Sequence, residues 1–277
     1  MSFLALTLLL AAAAIHAGWN ALVKTNTDRL HSIAILALFS AVAALPLIPF
    51  VPVPARESWP YLCASSGIQV FYCFALVRAY NHGDLASVYP IARGSAPVIV
   101  TIGAAVFARE LPDLYGVLGI GLVSSGILAL SLGQNRPTGT AIGAALMTGM
   151  FIASYTIVDG IGVRVAGDAI GYAVWQALIA GTLITLAYIA VRRRPPHMPG
   201  GKPGAMLALA GALSALAYGI SVWAMSQAAM GEVSAVRETS ILFAALFGAL
   251  LLKEKLSWQK VVGILAVTSG VIALATG

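Results

Sequence analysis

The chain has 277 residues, of which 60% are hydrophobic and 9% charged, whereas a soluble domain carries about a quarter charged. That composition excludes a water-soluble globule and calls for a bilayer, which solvates an apolar exterior while buried backbone pairs within helices or a closed barrel. The formal charge of +6 comes from 16 Lys and Arg against 10 Asp and Glu; they lie singly or in short clusters at the ends of apolar runs, as membrane-interface charges do, and argue against a nucleic-acid partner.

Apolar runs follow one another at Phe3–Val23, Ser32–Phe50, Trp59–Tyr80, Leu85–Phe107, Leu114–Leu132, Thr140–Val158, Ala169–Val191, Gly204–Ala229, Val233–Leu252 and Trp258–Ala275. Each is near the ~20 residues that span hydrocarbon as a helix, and longer than the ~10-residue alternating strands of a membrane barrel. The first run continues through His16 and Asn20 to Lys24 without a basic leader, so it is expected to be a retained helix rather than a cleaved signal. Between the runs lie short segments rich in Pro, Gly and charge, such as Val51–Ser58 and Arg192–Lys202, none large enough for a soluble domain. Cys63 and Cys73 are ten residues apart on one predicted helix, about 15 Å along its axis, too far to bridge. The fold class expected is therefore an all-α membrane protein of ten transmembrane helices.

The two halves resemble each other. Arg93, Glu110, Gly119 and Gly126 match Arg237, Glu254, Gly263 and Gly270 at one offset, 237 − 93 = 144. Residues 1–133 form the first expected five-helix repeat and 137–277 the second. Five is odd, so the second half enters the membrane inverted, as in many secondary transporters. Loops after odd-numbered helices carry Lys24, Arg29, Arg78, Arg136, Arg192, Arg193, Arg194, Lys202, Lys253, Lys255 and Lys260, whereas the others carry Arg56, Arg109 and Arg164. Loop charge thus places the odd loops in the cytoplasm and both termini outside.

Two arginines, Arg93 and Arg237, fall inside predicted helices. An intramembrane Arg costs at least ~2.5 kcal/mol and is therefore paired, hydrated or functional. Arg93 lies in Tyr89-Pro-Ile-Ala-Arg-Gly-Ser-Ala-Pro97, where two prolines and a glycine predict an interrupted helix whose free N–H groups and guanidinium face a carboxylate or phosphate; the competing reading is an arginine that snorkels to the interface. Arg237 is followed by Glu238, which predicts a structural ion pair, with gating as the functional alternative. His16, Trp19 and Asn20 share one face of the first helix, which is expected to look into the bundle and makes all three candidates to bind the solute. His16 is a candidate to carry a coupling proton or to serve as a neutral packing residue. Tyr72, Tyr89, Tyr155, Tyr218 and Trp223 are candidates to line a solute site, though any one of them also suits packing. Trp59 and Trp258 read as interface anchors. Asp159 reads as a solvated residue near the end of the sixth helix, Glu110 and Glu254 as structural loop or cap residues, and the four repeat glycines as close helix packing. The sequence has no Walker loop, His-Glu-x-x-His, Gly-x-Ser-x-Gly or Cys/His cluster, so no cofactor, metal or catalytic nucleophile is expected.

Five-helix halves that each close on a Glu and a Gly-rich helix resemble the drug/metabolite transporter superfamily, specifically its EamA-type members and their amino acid exporter branch. The residues that carry the resemblance are His16-Ala-Gly-Trp-Asn20, Ala108-Arg-Glu-Leu111 with Gly119 and Gly126, and Leu252-Lys-Glu-Lys255 with Gly263 and Gly270. The resemblance implies a central cavity, alternating access and a small metabolite as cargo. Both termini would then be cytoplasmic, opposite to the charge reading, in the inner (plasma) membrane. The expected function is secondary transport, foremost export of amino acids, by a monomer or homodimer whose partners are the solute, lipid and a coupling proton. A carrier of phosphorylated or phosphonate-like anions is the alternative, and a non-transporting scaffold or intramembrane enzyme the alternative from another class.

Overall fold

The computed structural model describes the backbone of all residues except 24–27, 83–84, 131–136, 252–257 and 277; side chains 19–23, 85–87, 246–251 and 259–260 also lie outside the described set. Among the described residues eleven α-helices follow in order: α1 Phe3–Val23, α2 Arg29–Ala44, α3 Trp59–His82, α4 Leu85–Phe107, α5 Leu114–Ala129, α6 Gly139–Arg164, α7 Ala169–Arg192, α8 Gly201–Met225, α9 Met230–Glu238, α10 Ser240–Leu251 and α11 Trp258–Thr276. No strand occurs among the described residues. Six helical segments are long and apolar enough to cross a membrane, and Phe3–Gly18, Leu114–Ala129 and Val261–Thr276 are shorter apolar helices. The ninth span is broken in two, as α9 and α10 around Thr239. Ten spans result, and large apolar side chains such as Phe71, Ile102, Phe107, Leu122, Leu186 and Ile272 face outward, where lipid replaces water as solvent.

The inverted repeat is written into the packing. Helix pairs α2·α7 and α5·α11 each join equivalents from the two halves, while α3·α6 is matched by α1·α8, and α3·α7 by α2·α8. The glycines give the same relation at atomic scale. A Cβ on Gly119 would stand 2.9 Å from the Gly270 carbonyl oxygen, and one on Gly126 2.9 Å from that of Gly263. Adding 144 to Gly119 and Gly126 gives Gly263 and Gly270, so each contact is the image of the other under exchange of the halves. The four glycines thus let two antiparallel helices touch backbone to backbone, the role read from their seven-residue spacing.

Two expectations about helix continuity need correcting. The fourth span is not interrupted at Arg93: α4 runs unbroken through Pro90 and Pro97. Pro97 removes only the N–H that would bond the Arg93 carbonyl four residues back. Gly94 answers a packing demand, because a Cβ there would stand 2.9 Å from Leu128 Cγ on α5. The break lies in the other half, where the Thr239 hydroxyl donates to the Val236 carbonyl at 2.6 Å and competes with the helical ladder.

Candidate functional site

A central cavity of about 270 Å³ lies between the halves, near the lower end of small-molecule sites (~300–1,000 Å³). It is lined on α1 by His16, on α2 by Arg29, on α3 by Gln69, Tyr72 and Tyr80, on α4 by Tyr89 and Arg93, on α6 by Tyr155, on α7 by Gln176, on α8 by Tyr218, and on α9 by Arg237. Arg29 and Tyr80 stand at the ends of α2 and α3 that meet odd-numbered loops, and the Arg29 guanidinium sits 4.6 Å from the centre of the Tyr80 ring. Deeper in, Tyr72, Tyr155 and Tyr218 meet edge to face at 5.7 and 5.9 Å, a favourable arrangement of ring quadrupoles. No acidic side chain lines the cavity among the described residues.

Both repeat arginines reach this space, but differently. The Arg93 Nη1 donates to both Glu238 carboxylate oxygens, at 2.9 and 3.2 Å, and Nη2 donates to His16 Nε2 at 3.0 Å. Its guanidinium also lies 5.2 Å from the Tyr89 ring centre. Arg237 donates to Glu238 and to the Thr156 hydroxyl only at 3.4 Å each, and its buried Nε has no hydrogen-bond partner. The ion pair expected between neighbours Arg237 and Glu238 is thus the weaker one: adjacent helical residues diverge by about 100°, and Glu238 turns instead to the arginine 145 positions away in sequence. Because guanidinium nitrogens only donate, His16 Nε2 is an acceptor and the histidine carries its hydrogen on Nδ1. Gln176 adds a second buried cavity donor, Nε2, without a partner.

Of the sequence candidates, His16, Tyr72, Tyr89, Arg93, Tyr155, Tyr218 and Arg237 converge on the cavity. Glu238 is fully buried behind it. Trp223 does not line it; it packs against the hydrophobic core instead. The Trp19 and Asn20 side chains lie outside the described residues. Sequence reasoning missed Gln69 and Gln176, whose signal was an amide in the middle of an apolar run.

Asp159 requires the largest correction. It is not a solvated boundary residue: it has no exposed surface and accepts hydrogen bonds from Tyr172 at 2.9 Å and Tyr218 at 2.6 Å. Helix α6 has 26 residues, about 39 Å at 1.5 Å each, so it overshoots the hydrocarbon and leaves Asp159 well inside the bundle.

Beyond Asp159 the even-loop side is packed shut. Trp59 and Trp175 stack edge to face at 5.3 Å, and the Ala55 N–H donates to the Ala166 carbonyl at 3.0 Å. Arg164 binds Glu110 at 2.5 Å and the Met225 and Ala228 carbonyls at 3.0 Å each. Glu110 in turn accepts the Met230 N–H at the start of α9, so it caps a helix from a distant loop. Its placement follows from Arg109, whose left-handed backbone (φ 54°) ends α4 and turns the chain back.

Comparison with known proteins bears on this architecture. A family described as the EamA-like transporter family matches the chain twice, over residues 3–132 and 139–276. A solved structure described only as "Crystal structure of protein" is similar over 99% of this chain and 98% of its own, with a TM-score of 0.77 at 15% identity, and so shares the fold. No curated protein matches.

Proposed function

Because the chain belongs to the EamA-like transporter family, and is therefore a multi-pass membrane transporter of small molecules, we propose that its central cavity binds a small organic carboxylate, amino acids foremost. The observation that carries this reading is the pair of buried, unpartnered donors, Arg237 Nε and Gln176 Nε2, on a cavity without an acid. A buried donor left unmade costs about 1–3 kcal/mol, which a carboxylate would recover. In this reading Arg237 anchors the carboxylate, Arg93 supports it with a charge that Glu238 largely neutralises, and the tyrosines and Gln69 receive the rest of the solute, an ammonium resting on ring faces.

The solute enters from the odd-loop side, where Arg29 and Tyr80 stand, while the Glu110–Arg164 latch holds the even-loop side closed. Exchange of the two related halves would open the opposite side, giving alternating access. Loop charge puts that odd-loop side in the cytoplasm, so the direction we assign is export across the inner membrane. Three cavity arginines also favour a second reading, a phosphorylated or phosphonate-like solute.

Counterflow in proteoliposomes decides between them. Labelled L-amino acids exchange, and unlabelled L-amino acids compete, whereas the corresponding amines lacking the carboxylate do not. Competition by phosphorylated solutes alone would favour the second reading, and exchange blocked equally by the amines would refute a carboxylate site.

A further inference from the structure

Behind the cavity, next to its lining residue Tyr218, lies a second buried acid that solute recognition does not use. Asp159 and Glu238 are both fully buried, yet their donors differ in kind. Glu238 is held by two guanidiniums, which can only donate, so its oxygens must remain acceptors. Asp159 is held by two phenol hydroxyls, at 2.9 and 2.6 Å, and each can either donate or accept. The Asp159 network therefore satisfies its hydrogen bonds in either protonation state, whereas the Glu238 network and the His16 Nε2–Arg93 contact each admit only one.

We propose that Asp159 is the proton-binding site that couples to the solute, acting through Tyr218. When Asp159 is ionised, the Tyr218 hydroxyl donates to it and offers only lone pairs to the cavity. A proton entering from the cavity is taken up by the Tyr218 oxygen as that hydroxyl passes its own hydrogen to Asp159 Oδ2; the phenol stays neutral, and only O–H bonds form and break. Asp159 then donates to Tyr218, whose hydrogen now points into the cavity as a donor for an anion. The same step removes a negative charge near Arg237, which also stacks 5.9 Å from the Tyr218 ring centre. Proton and anion thus favour each other's binding, and the coupling is reciprocal, so the two travel together: export occurs when the solute leaves down its own gradient, and an imposed inward proton gradient drives the reverse.

The groups facing Asp159 from the neighbouring helices are Tyr172 on α7, Tyr218 on α8, Arg237 on α9 and the Ser65 hydroxyl on α3, with Tyr155 on α6 itself. Arg93 on α4 is committed to Glu238 and His16. The nearby turn directs Arg56 and Glu57 outward. Tyr172 continues the chain of hydroxyls toward the even-loop side, where it packs against Gly162, and so supplies a release route once that side opens.

The inference rests on the transporter reading above, and two measurements separate their failures. Infrared difference spectroscopy of the reconstituted protein, acidified without solute, detects a carboxylic-acid carbonyl band; we expect it in the parent and in Tyr218→Phe but not in Asp159→Asn. A band absent from the parent, or surviving in Asp159→Asn, overturns the proposal whatever the solute. In the second measurement, uptake of a labelled L-amino acid mixture is driven by an imposed pH gradient. The parent should accumulate at least tenfold more than without the gradient, whereas Asp159→Asn should exchange solute but ignore the gradient, and Tyr218→Phe should lose the gradient response together with part of its exchange. Gradient-driven uptake that persists in Asp159→Asn overturns the proposal. A titrating Asp159 band with no flux of amino acids supports the proton site and refutes the amino acid reading alone.

Discussion

Arg93 and Arg237 are equivalent by the repeat and unequal in the molecule. Arg93 stands on an unbroken helix with its guanidinium engaged by Glu238 and His16; Arg237 stands two residues before the helix break at Thr239, with a bare Nε and only long contacts. The difference traces to one position. The repeat mate of Glu238 is Gly94 (238 − 144), which α5 forces to remain small, so two arginines share one acid. Duplication sets two cations face to face across the bundle, and the single acid decides which becomes scaffold and which stays available to a ligand.

That comparison is broken most severely at the acid. Glu238→Gln leaves two buried guanidiniums without a counter-ion and should cost about 3–5 kcal/mol, read as a fall in the thermal unfolding midpoint in detergent. A change within error would mean that Glu238 does not hold the arginines in place. Arg93→Gln should cost somewhat less, about 2–4 kcal/mol, because Arg237 can close its 3.4 Å gap and take over the carboxylate; the double variant with Glu238→Gln should then recover part of the loss. Arg237→Gln should be the mildest for stability, about 1 kcal/mol or less, since its hydrogen bonds are long and one donor is already unmade. Its transport should nevertheless fall at least tenfold, largely through KM. Equal destabilisation by the two arginine substitutions would erase the distinction between them.

The span positions, the inverted order and the equivalence of Arg93 with Arg237 were legible because hydrophobic length and spacing are local properties of the chain. So was the close-packing role of the glycines on α5 and α11, since glycines seven residues apart fall on one helix face; that the two helices pack on each other was supplied by the fold. The partner of Glu238 was not legible: its nearest cation in sequence is Arg237, but helix rotation turns the two apart and the bundle brings Arg93 close. Asp159 was misplaced for a related reason, since hydropathy ends the sixth run at Val158 while the helix continues to Arg164. Tyr172 and Tyr218, which bury its carboxylate, come from helices whose neighbours only the tertiary fold assigns. The prolines of α4 misled in the opposite direction, because neighbouring helices tolerate a missing hydrogen bond inside a membrane.

The central claim, that Arg237 holds the solute carboxylate while Arg93 belongs to the scaffold, is tested most directly by solute discrimination. In proteoliposome counterflow, exchange of an L-amino acid is compared with exchange of the amine lacking its carboxylate, for the parent protein and for Arg237→Gln. The parent should prefer the carboxylated solute by at least tenfold, and Arg237→Gln should lose that preference while keeping its thermal stability. A folded Arg237→Gln protein that still prefers the carboxylate as strongly as the parent would contradict the account.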